Sequence, residues 1–185
     1  MIIPGVLAQQ GLIGSGGGGL TPPAIGDYWA EQGGYYIGDV TVTDGGANDG
    51  SYWILMAPLS ANSRLQWKNA NTATAGTGSF TDGLGNTSAI EAAGIAAHPA
   101  AQFCRSYSGG GLADWYLPAP NELALAWANR ALLPVEAAMR EQYYWTSATA
   151  AAATARYRLF TDGSTGNINK SGAADLRPFR RVRIS

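Results

Sequence analysis

An all-β or α+β domain is predicted by three observations, and two helical stretches among them favour α+β. The 185 residues include 25 glycines and only 14% charged residues, a turn-rich composition unlike that of a helical bundle. Six Trp and nine Tyr supply bulky core material. Short apolar runs bounded by turn residues alternate with two stretches of three-to-four periodicity. The length suits one domain whose core needs no covalent staples.

Residues 1 to 26 differ from the rest, with no charge before Asp27 and a Gly14-Ser15-Gly16-Gly17-Gly18-Gly19 hinge leading to Pro22-Pro23. Ile2, Ile3, Val6, Leu7, Leu12 and Ile13 cannot form a core of their own across that hinge. Two readings follow: an assembly arm buried against a partner subunit, or an unstructured tail. The folded domain is placed at 27–185. Pro4 and Gly5 break the apolar start, and no basic residue precedes it, so a secretory signal is not expected. No apolar run reaches the length of a membrane span.

Tyr35-Tyr36-Ile37 and Val40-Thr41-Val42 read as strand material interrupted by Gly38-Asp39, with a turn over 44–50. Ser51 to Ala57 reads as a central strand covered on both faces, and Leu65-Gln66-Trp67 as another short one. Residues 69–85, rich in Thr, Ala and Gly, read as an exposed loop. Asn86-Thr87-Ser88 offer caps for a helix to Ser106, with Ile90, Ala93, Gly94, Ala97, Ala101 and Cys104 on one face and a kink or restart at Pro99. Pro120-Asn121-Glu122 starts a second helix to about Ala131, with Leu123, Ala124, Trp127 and Ala128 inward, and 134–139 suit a further short turn. Strands follow at Tyr144–Ser147, Ala155–Phe160, Gly166–Lys170 and Arg180–Ile184, with Asp162-Gly163 as a hairpin turn.

Within this frame, Gly111-Leu112-Ala113-Asp114-Trp115-Tyr116-Leu117-Pro118, then Glu122-Leu123, Tyr144-Trp145-Thr146-Ser147 and a closing Arg181-Val182-Arg183 follow a recognisable order. That order resembles a C-type-lectin-like domain family of bacterial collagen-like adhesin C-terminal domains and phage virion proteins. The usual pattern is a Gly, an Asp-Trp-Arg-Leu-Pro run, a Glu-Leu helix start, a Tyr-Trp-Ser-Ser strand and a Val-Arg-Cys-Val-Arg end. Tyr116 departs from the usual Arg, Thr146 from the first Ser, and Phe179-Arg180 stand where Cys is common. The likeness covers roughly the last 80 residues well. It implies an α+β C-type-lectin-like fold of twisted antiparallel sheets with two helices behind an extended N-terminal arm, forming a head without enzymatic activity in a phage virion protein, as tail fibre, baseplate or capsid decoration. The alternative is a calcium-independent carbohydrate-binding adhesin module at a bacterial surface. Implied partners are other virion or surface-assembly subunits, a host surface glycan or protein, and further copies of the chain. The family presents its ligand-facing surface on the C-terminal hairpin, here Tyr157, Arg158, Asn167, Asn169, Lys170 and Arg177. Tyr157 and Phe160 suit a core equally, and Asn167 and Asn169 ordinary turns.

Five acidic residues (Asp27, Glu31, Asp39, Asp44, Asp49) and no basic ones precede Arg64, whereas seven basic residues against Asp162 and Asp175 occur from Arg156 on. If the first and last strands are neighbours, as in a lectin-like fold, these ends pair across the sheet. A net charge of −1 without a wider basic face argues against nucleic acid. Cys104 alone excludes a disulfide framework, a zinc cluster and the cysteine chemistry of formylglycine-generating oxidase relatives. Pro120-Asn121-Glu122 holds the residues of the Glu-Pro-Asn motif of true C-type lectins in permuted order and reads as a helix start. Asp44, Asn48, Asp49 and Asp82 lack the spacing of a calcium cage, and His98 lacks a ligand partner. No metal or cofactor is expected.

Overall fold

A computed structural model describes residues 20–184. Over the described residues the chain is a mixed α+β protein with two sheets and three α-helices. The predicted arm residues Ile2 to Ile13 lie outside the described residues. Packing starts slightly before the expected boundary, since Ile25 covers Trp29, Tyr36 and Leu55, and the Gly26 N–H donates to the Tyr36 carbonyl.

The first sheet orders β1 (Tyr28–Trp29), β2 (Gly34–Val42), β3 (Gly50–Met56) and β9 (Phe179–Arg183), all antiparallel. β3 is central, as its apolar run predicts. β2 is a single strand rather than two, because the extra residue between Tyr36 and Gly38 is absorbed as a bulge. Gly38 takes φ +119° there, close against Leu125 and Asn129, and Asn129 donates to the Ile37 carbonyl at 2.8 Å. The second sheet orders β4 (Ser63–Gln66), β8 (Ala173–Leu176), β5 (Tyr143–Thr149), β6 (Thr154–Leu159) and β7 (Thr165–Asn169), with β5 and β8 parallel. β1 and β8 were not anticipated; the one is two residues long, and the other, Ala-Ala-Asp-Leu, has no β-branched residue.

The 86–106 stretch is two helices, α1 (Gly83–Ala92) and α2 (Pro99–Ser106), as the proline allowed. The cap is Asp82, whose carboxylate accepts from the Gly85 N–H at 2.7 Å, and Asn86, Thr87 and Ser88 lie inside α1. The break resets the helical phase, so Ile90, Ala101 and Cys104 are buried while Ala93 and Gly94 are exposed. α3 (Pro120–Ala128) ends three residues early, leaving Ala128 exposed, and 135–137 form a turn without a helix. α1 and α2 cover one face of the second sheet around Trp67, Trp145 and Leu176. α3 packs Leu123 and Ala126 between β2, β5 and β6. Among the described residues no helix is long and apolar enough to cross a membrane.

The 69–85 loop is less exposed than its composition suggests, with Thr74, Thr77 and Asp82 buried. His98 explains part of this. Its Nδ1–H faces the Gly94 carbonyl at 2.8 Å, so in the neutral ring Nε2 accepts from the Thr74 hydroxyl at 3.0 Å. Burial lowers its pKa and keeps it neutral.

The charged ends do not pair with one another. β1 and β9 lie at opposite edges of their sheet, so Arg181 reaches Asp82 at 2.8 Å, and Arg180 reaches Asp114 and Gln32. Arg183 meets the acidic end through the Asp49 backbone carbonyl at 2.9 Å, as Arg180 does through Gln32, and among the described residues no ion pair joins the C-terminal cations to Asp27, Glu31, Asp39, Asp44 or Asp49.

Glu122, in the first turn of α3, is fully buried. One carboxylate oxygen accepts from the Ala119 N–H and the other from the Tyr116 hydroxyl, both at 2.7 Å. Burial, opposed by those bonds, pushes its pKa from 4.5 to about 7. A raised folded-state pKa means that the stabilisation by its proton is complete below pH 4.5 and lost as pH rises to about 7. The expected slope is up to about 1.4 kcal/mol per pH unit from this one group. Denaturant titrations across that window should show a flatter slope in Glu122→Gln than in the unaltered protein; equal slopes would remove Glu122 as the source.

Candidate ligand-binding site on the C-terminal hairpin

Residues two apart on a strand share a face, and β6 uses this twice. Ala155 and Tyr157 point to the core under α1 and α2, with Tyr157 edge-on to Tyr143, their centroids 4.7 Å apart. Arg156 and Arg158 point the other way, toward α3, and lie directly opposite Asn167 and Thr165 of β7. The hairpin closes at Asp162-Gly163 as predicted. Gly163 takes φ +80° with the Trp127 ring packed where a Cβ would stand.

A pocket of about 200 Å3 opens where this face meets the start of α3. Arg156, Arg158, Thr146 and Thr165 contribute from the sheet, Asn121 from the helix, and Phe80 from the preceding loop. Phe80 is 47% exposed, and its position is set by the Asn121 N–H donating to its carbonyl at 2.9 Å. The Arg156 guanidinium lies 4.6 Å from the Phe80 ring centroid. Arg158 donates one N–H to the Gly163 carbonyl at 2.6 Å. The Nε atoms of both arginines are buried without a hydrogen-bond partner, and among the described residues no Asp or Glu lines the pocket. Burial lowers the pKa of Arg158.

The expected ligand-facing residues therefore divide. Arg158 faces the pocket, Asn167 and Asn169 are exposed on β7 outside its lining, and Tyr157 borders it while packing on the opposite core. Lys170 and Arg177 do not belong to this face. Lys170 is fully buried, donating to the Thr72 and Ala152 carbonyls at 3.0 and 2.9 Å with its ammonium 4.8 Å from the Trp67 ring centroid. Burial pushes its pKa down to about 8. Arg177 is buried among the Ala57, Ala137 and Ala138 carbonyls. Both cations satisfy carbonyls of the connecting loops, a use that strand alternation does not reveal. Phe80, Asn121, Thr146 and Arg156 were missed. The Arg-Tyr-Arg spacing could have paired Arg156 with Arg158, whereas nothing local to Phe80 marks it.

The oxygens of Asp44, Asn48, Asp49 and Asp82 are taken up by bonds within the protein. Asp49 accepts from the Asp44, Gly45 and Gly46 N–H groups, Asp44 from the Ser79 and Thr81 hydroxyls, and Asp82 from Asn48 and Arg181. Burial pushes the Cys104 thiol up, away from its reactive thiolate form.

No protein-family model matches the chain, and no curated protein matches it significantly.

Proposed function

We propose that this protein is a non-enzymatic structural component of a phage particle. Its lectin-like head binds a host surface or a neighbouring subunit through the β6–β7 face, and its N-terminal residues join it to the assembly. The observation that supports the binding half is the pocket between Arg156, Arg158 and Phe80, where cationic and aromatic groups of the kind that dominate recognition meet solvent. The non-enzymatic half is supported by how the buried ionisable groups are employed. His98, Glu122, Lys170, Asp175 and Arg177 all bond to backbone or side chains that hold the fold.

Deleting residues 1–19 is expected to leave the thermal transition of the head nearly unchanged while abolishing its incorporation into particles, read by mass spectrometry of purified virions. Normal incorporation of the truncated protein, or absence of the full chain from particles, overturns this reading. A calcium-independent carbohydrate-binding adhesin module at a bacterial surface is the second reading, favoured by the same pocket. Glycan-array binding that survives a chelator supports it.

A further inference from the structure

We propose that the pocket between β6, β7 and the start of α3 binds one acidic sugar residue, with the sugar carboxylate on Arg156 and Arg158 and the ring against Phe80. This deepens the proposed function and rests on its reading of the hairpin face as the binding surface.

Two guanidinium groups on one strand face, with no carboxylate lining the space between them, repel each other and lack a counter-charge. Both keep a buried Nε–H without a partner, and the Arg156 side chain has no hydrogen bond within the protein among the described residues. A bound carboxylate supplies the missing counter-charge and matches the planar guanidinium fork with two parallel bonds. The partly buried surroundings weaken competition from water.

Shape and the remaining walls select a sugar. At about 200 Å3 the pocket is below the ~300–1,000 Å3 usual for drug-sized ligands, leaving room for a single ring. Phe80, half exposed beside the Arg156 guanidinium, offers aromatic surface complementary to the C–H face of a pyranose. Thr165 and Asn121 flank it with hydroxyl and amide groups that both donate and accept, as sugar hydroxyls require. An acidic peptide would gain from the cations but would leave those groups unmatched.

The test uses the full chain labelled with 15N and titrated separately with glucuronic acid, N-acetylneuraminic acid, methyl glucuronate ester, glucose, acetate, inorganic sulfate and N-acetylglutamate. At least one of the two sugar acids is expected to shift the amide signals of Asn121, Thr165 and Gly166 saturably. The ester and glucose should bind at least about tenfold more weakly, as expected for loss of a charged hydrogen-bonded pair. Arg156→Gln and Phe80→Ala should each weaken the acid comparably at an unchanged melting temperature, with Arg156→Lys intermediate. The proposal falls if neither acid binds, if ester or glucose binds as tightly, if acetate or sulfate alone reproduces the affinity, or if N-acetylglutamate binds more tightly, which indicates a peptide ligand. The ester comparison needs no variant, so a misfolded substitution does not shield the proposal. Host-cell binding by an Arg156→Gln, Arg158→Gln protein separates the two levels. Full retention overturns the acidic-sugar site and leaves the attachment function standing, whereas failure of the unaltered protein to enter particles or bind cells, with acid binding intact, overturns the function alone.

Discussion

Arg177→Ala is expected to lower the unfolding free energy by about 3–5 kcal/mol, among the largest effects available to a single substitution here. The guanidinium donates to the Ala57 carbonyl at 3.1 Å and the Ala138 carbonyl at 3.1 Å, with the Ala137 carbonyl at 3.5 Å and the Asn62 side-chain oxygen at 3.4 Å. Asn62 in turn accepts from the Tyr144 hydroxyl and donates to Asp175. One side chain thus joins the end of β3, the approach to β4 and the loop before β5. Truncation strands several buried carbonyls, each costing about 1–3 kcal/mol unless water enters. Arg177→Met restores volume but no donors, so it should recover only the packing share. Urea unfolding monitored by tryptophan fluorescence checks both variants. A loss below about 1 kcal/mol for the alanine variant would show that water replaces the guanidinium.

Trp145→Ala should cost a similar amount, about 3–5 kcal/mol, by a different route. Its indole is fully buried beneath α1 and α2 and donates to the Leu65 carbonyl at 2.9 Å, while Trp67 donates back to the Thr146 carbonyl at 2.9 Å. The two rings hold the chain around β4 against β5 although β8 lies between those strands. For a domain of this size the midpoint should fall by roughly 6–20 °C, measured by calorimetry. Trp145→Phe keeps most of the apolar contact and loses the hydrogen bond, so it should fall by clearly less. Equal losses would mean that the Leu65 bond, and not ring volume, carries the effect.

Much of the fold was legible because its signals are local. Ser51 to Ala57 reads as a central strand from its unbroken apolar run, Asp162-Gly163 as a hairpin from its turn chemistry, and Pro120 as a helix start from its missing N–H. β8 escaped because its place comes from pairing on both sides, with β4 and with β5, and not from strand propensity. The cap at Asp82 escaped because several side chains nearby could serve, and the choice falls to the one that Arg181 and Asn48 also hold.

The candidate site follows the same division. Strand periodicity places Arg158 and Asn167 on one face, and it could have placed Arg156 with them. The resemblance counts Lys170 and Arg177 among the ligand-facing residues, yet both are buried, because the loops folding over them present carbonyls that these cations satisfy. Phe80 becomes a pocket wall only through the bond from Asn121, 41 positions later in the chain, which brings a loop, a helix start and a hairpin together. Element types and turns are written in neighbouring residues, since backbone sterics and hydrophobic spacing act over a few positions. Which polar group ends up buried, and which pair faces a cavity, depends on contacts between segments far apart in the chain, where each carbonyl and each cation takes the partner that folding brings within reach.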